Sequence, residues 1–348
     1  MIIYWLLFLI PVYFLLGKTR GGFNTSNLEW FIFAITLIFL IGLRYQVGGD
    51  WETYLEGLEL ENAIQWDDLF LKRDPGFTLI SWCSIALGFS IYGINVVCAV
   101  AFVGGLISLC RAQPYPWAAV LVAVPYLIIV VAMGYTRQAA AIGLLMYGFK
   151  SLASEGSTKY LIFVFLAGMI HKTAFVFAGL ALLRPGSGKL KVILGVGSII
   201  GLLGFAFLLE QAETFMRNYV EFTMESGGGQ IRTLLSLPPA LILLFYWKKW
   251  GQMFKDRWLW GIIAIIAITC IPLVSLASTA VDRMALYLIP LQVVVWARFP
   301  VLVQGRINPT FSLLMVILFY ATVLFTWLVY GTHSSYWLPY NNLLFFNF

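Results

Sequence analysis

Charge is scarce in this sequence. Charged residues make up 11% of its 348 positions, against 61% hydrophobic ones, where a soluble domain carries roughly 25% charged residues. That shortage excludes a soluble domain of any size. Histidine is scarcer still, with two residues. There is no HExxH and no carboxylate pair at ligand spacing, so no metal is expected. The four cysteines, Cys83, Cys98, Cys110 and Cys270, lie in or at the ends of apolar runs without a CxxC. Neither a disulfide framework nor a zinc site is expected from them. No P-loop and no GxGxxG opens a helix, so nucleotide use is unsupported and no cofactor is expected. Long linkers, low-complexity runs and repeats are absent too, which leaves one integral membrane domain over 1–348.

What the chain has is apolar length. Runs lie near 1–17, 28–43, 76–92, 94–110, 117–133, 136–149, 160–183, 192–209, 233–247, 258–278, 284–298 and 310–330. A helix needs about 20 mostly apolar residues to cross a bilayer. Backbone polar groups in hydrocarbon must be satisfied within the segment or in a closed barrel, and the runs lack the alternation a barrel needs. The expected fold is therefore all-α: a polytopic transmembrane helical bundle of about 11–13 hydrophobic segments. The first run has no basic stretch before it and no small-residue cleavage site after it, so it reads as a retained span. The net charge of +6 is scattered through short loops, and nucleic acid is not an expected partner.

Lysine and arginine in short loops set the orientation. Lys248, Lys249, Lys255 and Arg257 mark the clearest cytoplasmic loop; Lys18 with Arg20, Arg184 with Lys189 and Lys191, and Arg298 with Arg306 mark others. The acidic stretches 44–75 and 210–232 then face outward. The middle of the chain conflicts with simple alternation. If every run crosses once, Lys150 and Lys159 fall outside. A cytoplasmic 150–159 loop instead requires that some segment between 76 and 135, and the stretch 160–183, enter and return. Pro125 stands as a candidate break.

Ionisable side chains among apolar helices cost roughly 2.5–3.5 kcal/mol on insertion scales, so they are the place to look for function. Four clusters stand out. Arg44-Tyr45-Gln46-Val47-Gly48-Gly49-Asp50 is followed by Tyr54, one helical turn from Asp50. Gly134-Tyr135-Thr136-Arg137-Gln138 is closely bracketed by apolar residues. Ile170-His171-Lys172-Thr173 lies near the middle of its run, and Asp282-Arg283 with Tyr287 lies between two spans. Their bland readings are a snorkelling helix end, a hairpin tip, an interhelical hydrogen bond and a loop charge pair. Together, Arg44, Arg137, Lys172 and Arg283 place fixed positive charge near one side of the membrane. Such donors suit phosphate and pyrophosphate, which among these helices points to a lipid phosphate. Asp50 or His171 then serves as proton acceptor.

At these residues the chain resembles a known family. Arg44-Tyr45-x-x-Gly48-x-Asp50-x-x-x-Tyr54, Asp74-x-Gly76-Phe77, Arg137-Gln138-x-Ala140, His171-Lys172-x-Ala174 and Asp282-Arg283-x-x-x-Tyr287 follow the order seen in the EpsG family of Wzy-like polysaccharide polymerases. The resemblance runs from about residue 28 to 300. Lys172 departs from it, since a small or aromatic residue is common there.

The resemblance implies a bundle similar to the C-type membrane glycosyltransferases, in the bacterial inner membrane and working at its outer face. Donor and acceptor would be oligosaccharides on undecaprenyl pyrophosphate, with a chain-length regulator as a candidate further partner. Asp50, Arg137, His171 and Arg283 would be catalytic, with Asp50 the best-placed base. Arg44, Tyr54, Gln138, Lys172, Asp282 and Tyr287 would bind substrate. An O-antigen ligase shares donor and fold class and stays open. A membrane O-acyltransferase usually carries its histidine in an early span. A glycan transporter should show inverted repeats, and none is visible.

Overall fold

The computed structural model describes residues 1–19, 25–61, 74–154, 156–186, 188, 190–191, 193–198, 201, 229–275 and 278–345. The acidic residues 62–73 and 210–228, and most of the run 192–209, lie outside the described residues. What is described is helical, with no strand; a lone antiparallel bridge pairs Arg44 with Asn342. The all-α expectation holds.

The helices are α1 (Ile2–Thr19), α2 (Asn27–Gly42), α3 (Trp51–Glu61), α4 (Pro75–Ala86), α5 (Ser90–Arg111), α6 (Pro116–Ala123), α7 (Thr136–Ser154) and α8 (Ser157–Ile170). After the described gap come α9 (Gly229–Leu234), α10 (Leu237–Phe245), α11 (Trp247–Met253), α12 (Arg257–Leu273), α13 (Ser278–Leu286), α14 (Pro290–Leu302) and α15 (Pro309–Tyr330). Their starts carry recognisable signals. Ser26 and Glu29 form a reciprocal capping box on α2. Proline stands in the first turn of α4, α6, α14 and α15, where its missing N–H costs nothing. Among the described residues, three segments of 22 residues, Ser90–Arg111, Val281–Leu302 and Pro309–Tyr330, are long and apolar enough to cross a membrane.

Side-chain contacts sort the helix ends into two groups. At one end, Arg111 donates to Asn27 (2.6 Å), Trp117 to Thr25 (2.7 Å) and Lys150 to Ser108 (3.2 Å). There too, Arg298 makes a two-pronged ion pair with Asp256 (2.6 and 2.7 Å) and donates to Gln113 (2.9 Å). We call this the basic end, since Lys150, Lys159, Arg184, Lys248, Lys249 and Arg257 also lie there. At the other end the tips of α2, α4, α5, α7 and α8 meet, with α3 and the C-terminal segment around them. The start of α1 joins them through Tyr4, whose hydroxyl donates to the Trp337 carbonyl (2.7 Å).

Two apolar runs do not pass from one end to the other. The run 76–92 begins at Asp74 and ends at Ser90, both at the non-basic end. Ser84 Oγ donates to the Ser90 carbonyl (2.5 Å), closing a hairpin between α4 and α5. The run 160–183 is also two limbs. α8 climbs from the basic end to His171, and a 3₁₀ helix, Lys172–Leu183, returns beside it to Arg184, next to Gly156. Fourteen α residues rise about 21 Å, and twelve 3₁₀ residues about 24 Å. The shorter limb therefore matches the longer one, and both stop short of a hydrocarbon core of about 30 Å.

Pro125 marks no such return. Residues 116–132 pass from the basic end, at Trp117, to the other, where Gly134 meets Trp337. The proline instead opens a π-helical stretch, Val124–Ala132, buried throughout. Proline cannot donate to the i−4 carbonyl and clashes with it, and a wider turn relieves both.

Candidate active site

The loop after α2 is held before any ligand arrives. Arg44 is 2% exposed. Its Nε donates to the Val47 carbonyl (3.1 Å) and its Nη1 to the Ile41 carbonyl (2.6 Å). Its Nη2 donates to Asn95 Oδ1 (3.2 Å) and Thr136 Oγ1 (2.7 Å). These bonds occupy most of the guanidinium and tie α2 to the starts of α5 and α7. Gly48 then turns the chain at φ +106, its α-carbon packed on the Met133 carbonyl. Any side chain there would be strained and would overlap that carbonyl.

Asp50 follows, half-buried, and its carbonyl accepts the Tyr54 N–H (3.0 Å) that starts α3. Burial pushes its carboxyl above the ordinary carboxylate value. The charges of Arg283, Arg137 and Arg44, in that order, pull the other way. Asp50 thus faces positive charge from three separate helix ends.

Arg137 sits at the start of α7 and is 38% exposed. Its guanidinium lies over the rings of Phe77 (5.2 Å) and Tyr54 (5.5 Å), and its Nη1 donates to Asp74 Oδ2 (3.3 Å). Its backbone N–H donates to the Tyr54 hydroxyl (3.3 Å). Asp74 is buried, and its second oxygen accepts the Lys172 N–H (3.0 Å). One carboxylate therefore orients Arg137 and holds the tip of the α8 hairpin.

His171 Nδ1 lies 2.6 Å from Thr173 Oγ1 and 3.1 Å from the Tyr287 hydroxyl; those two hydroxyls are 3.0 Å apart. Nδ1 is thus held by two hydroxyls of the protein, which fixes the ring against Tyr287. Tyr287 is 1% exposed. Buried Gln138 donates to the Arg283 carbonyl, and buried Asp282 pairs with Arg232 of α9. The Arg283 side chain itself is exposed, beside residues on both sides of it that are buried.

All ten residues singled out in the sequence come to this end, and they divide by accessibility. Arg137, Arg283, Lys172, His171, Asp50 and Tyr54 keep exposed or half-exposed surface, while Arg44, Gln138, Asp282 and Tyr287 are buried against protein groups. Four further residues complete the framework: Asp74, Asn95, Thr173 and Arg232. Asp74 was visible as part of its short motif. Arg232 had no sequence signal beyond the end of an acidic stretch. No group of three or more histidine, cysteine, aspartate or glutamate side chains that would hold a metal occurs among the described residues.

The model of the EpsG family matches residues 27–342, from the start of α2 to the bridge partner of Arg44. The chain belongs to the EpsG family. No curated protein and no solved structure gives a significant match. As an EpsG protein with this apolar helical bundle, it is a membrane protein of polysaccharide biosynthesis, and a membrane polysaccharide polymerase in general. The motifs of Arg44, Asp74, Arg137, His171 and Asp282 all fall inside the matched span and meet at one end.

Proposed function

We propose that this EpsG protein joins oligosaccharide repeat units carried on undecaprenyl pyrophosphate, at the outer face of the bacterial inner membrane. The observation that carries the reading is the meeting of Asp50 with Arg137 and Arg283 at one end of the bundle, opposite the basic loops. The positive-inside bias puts those loops in the cytoplasm, so the Asp50 end faces out.

In this reading an acceptor hydroxyl of one lipid-linked unit attacks the anomeric carbon of the growing chain on its carrier. The new C–O bond forms as the anomeric C–O bond to pyrophosphate breaks. The bonding pair leaves with the phosphate oxygen, and the hydroxyl proton passes to Asp50. Arg137 and Arg283 stabilise the developing pyrophosphate charge as positioned cations, Arg137 by a planar fork suited to phosphate oxygens. Lys172 and His171 lie within the same cluster and add positive or hydrogen-bonding groups to it. Arg44, Gln138, Asp282 and Tyr287 enter the scheme as positioning residues, because their polar groups are engaged by protein. No step requires a metal or a nucleotide.

The test is a reconstituted protein given purified lipid-linked repeat units and a chelator. A ladder of polymer on the carrier is expected. An absolute requirement for a divalent ion would remove the mechanism. Transfer to a different acceptor without chain growth would turn the assignment to a ligase.

A further inference from the structure

The C-terminal segment, residues 331–345, leaves α15 and crosses back over the end of the bundle that carries Asp50. It caps α2 from a distance of 300 residues in sequence. A helix ends with carbonyls that have no partner of their own. Here Tyr340 donates to the Leu40 carbonyl (2.7 Å), Asn342 Nδ2 to that of Phe39 (3.1 Å) and the Leu343 N–H to that of Leu43 (2.8 Å). The Tyr45 N–H donates to Asn341 (3.0 Å) and the Gly48 N–H to Tyr336 (2.9 Å). The loop from Leu43 to Asp50 is thus bonded to this segment on both sides of Arg44.

Trp337 is the centre of that contact. It is 2% exposed. Its Nε1 donates to the Ile129 carbonyl in the π-helical stretch (2.8 Å), and Trp327 packs edge-on against it (5.3 Å). A Cβ placed on Gly134 would overlap the Trp337 ring, and one on Gly49 would touch it at 3.8 Å. One indole therefore separates and supports two turns: the one that ends at Asp50 and the one that leads into Arg137.

We propose that Trp337 is a positioning residue for the polymerase reaction, setting the Asp50 loop against the Arg137 turn, so that the C-terminal strap is part of the catalytic framework. The proposal rests on the reading of Asp50 and Arg137 as catalytic. Its physical content is that both turns join helix ends, α2 to α3 at Asp50 and the π-helical stretch to α7 at Arg137, and the indole fills the space between them. A displacement of about 1 Å between reacting groups costs on the order of a hundredfold in rate.

The experiment uses the full chain in lipid, with Trp337→Ala and Trp337→Phe. Trp337→Ala is expected to speed amide hydrogen exchange in 45–52 and 133–138 together, leaving α5 beyond residue 100 unchanged. It should lower kcat about a hundredfold, with KM within about threefold. Trp337→Phe keeps a ring between the two turns and loses only the bond to Ile129, so it should recover to within about tenfold of the parent. Gly134→Ala keeps the tryptophan but forces it away from the turn; it should lower kcat as well, and it serves if Trp337→Ala does not fold. Unchanged exchange in both turns, or full activity in Gly134→Ala, would overturn the proposal. So would exchange rising throughout the chain, the mark of general destabilisation. If the parent protein makes no polymer, the functional reading fails, and the exchange arm still decides whether the strap holds the two turns.

Discussion

A carboxylate acts as a base only when it is ionised and within reach of the proton it must take. At Asp50 burial opposes ionisation, and Arg283, Arg137 and Arg44 favour it, with burial the larger effect. The acidic limb of kcat/KM reports the base in the free enzyme. Activity should therefore fall as pH drops through a pKa above the usual carboxylate range. Arg283→Gln removes the largest opposing charge, so the Asp50 pKa should rise and the limb should move to higher pH. A limb that stays put or moves down would take the base role away from Asp50, with His171 next in line. Asp50→Asn should keep donor binding and lose turnover, as when a base is removed without change of shape. Arg137→Ala should abolish polymer while the protein still inserts, and Arg137→Lys should recover little, since a point charge does not replace a fork. A fully active Arg137→Ala would refute the pyrophosphate role. The cluster itself was legible, because arginine, aspartate and histidine are conspicuous among apolar residues. The division of labour within it was not. Arg44 and Arg137 look alike in sequence, and only the fold shows that one is spent on Ile41, Val47, Asn95 and Thr136 while the other reaches open space.

Hydropathy has length but no direction, and this decides which elements were readable. The run 160–183 reads the same whether it crosses once or enters and returns; the basic residues on either side of it, Lys150 with Lys159 and Arg184, were the deciding signal. The second segment that fails to cross had to lie between 76 and 135, and it proved to be α4, which follows Asp74 and turns into α5 at Ser90, both at the same end of the bundle. Pro125 pointed to the wrong segment because a proline in a buried helix has two outcomes, a break or a widened turn, and the packed neighbours of 124–132 select the second. Packing of α5 on α7 also depends on a feature that sequence barely marks. Gly105 and Gly143 let the two backbones touch, and a Cβ on Gly143 would overlap the Phe102 backbone. Gly143→Ala should cost about 1–3 kcal/mol through forced separation of the helices. Gly57→Ala on α3, where nothing lies within 4 Å of the added carbon, should be neutral or stabilising by roughly 0.5–1 kcal/mol. Thermal unfolding in detergent compares the two, and equal effects would rule out close α5–α7 contact.

At the scale of the whole molecule, the two ends differ in charge, and that difference predicts how it sits. The basic end carries Lys150, Lys159, Lys248, Lys249 and Arg257; at the other, Asp50, Glu52, Glu56, Asp74 and Asp282 are balanced by Arg44, Arg137, Lys172, Arg232 and Arg283. Lysine and arginine in short loops stay in the cytoplasm, so Glu56 should be outside and Lys159 inside, although α8 between Lys159 and His171 is short. The consequence is sharp, because simple alternation of all the apolar runs puts Lys159 outside. A single cysteine at either position decides between the two arrangements. Cys83 is exposed and must first be replaced, while Cys98, Cys110 and Cys270 are buried. In intact cells or spheroplasts an impermeant thiol reagent should label Glu56→Cys and leave Lys159→Cys untouched until lysis. Labelling of Lys159→Cys from outside would mean that α8 and the 3₁₀ helix approach His171 from the outer face, and the orientation of the site would be inverted. Protection of Glu56→Cys before lysis would place Asp50 on the cytoplasmic side and remove the outer-face polymerase reading together with it.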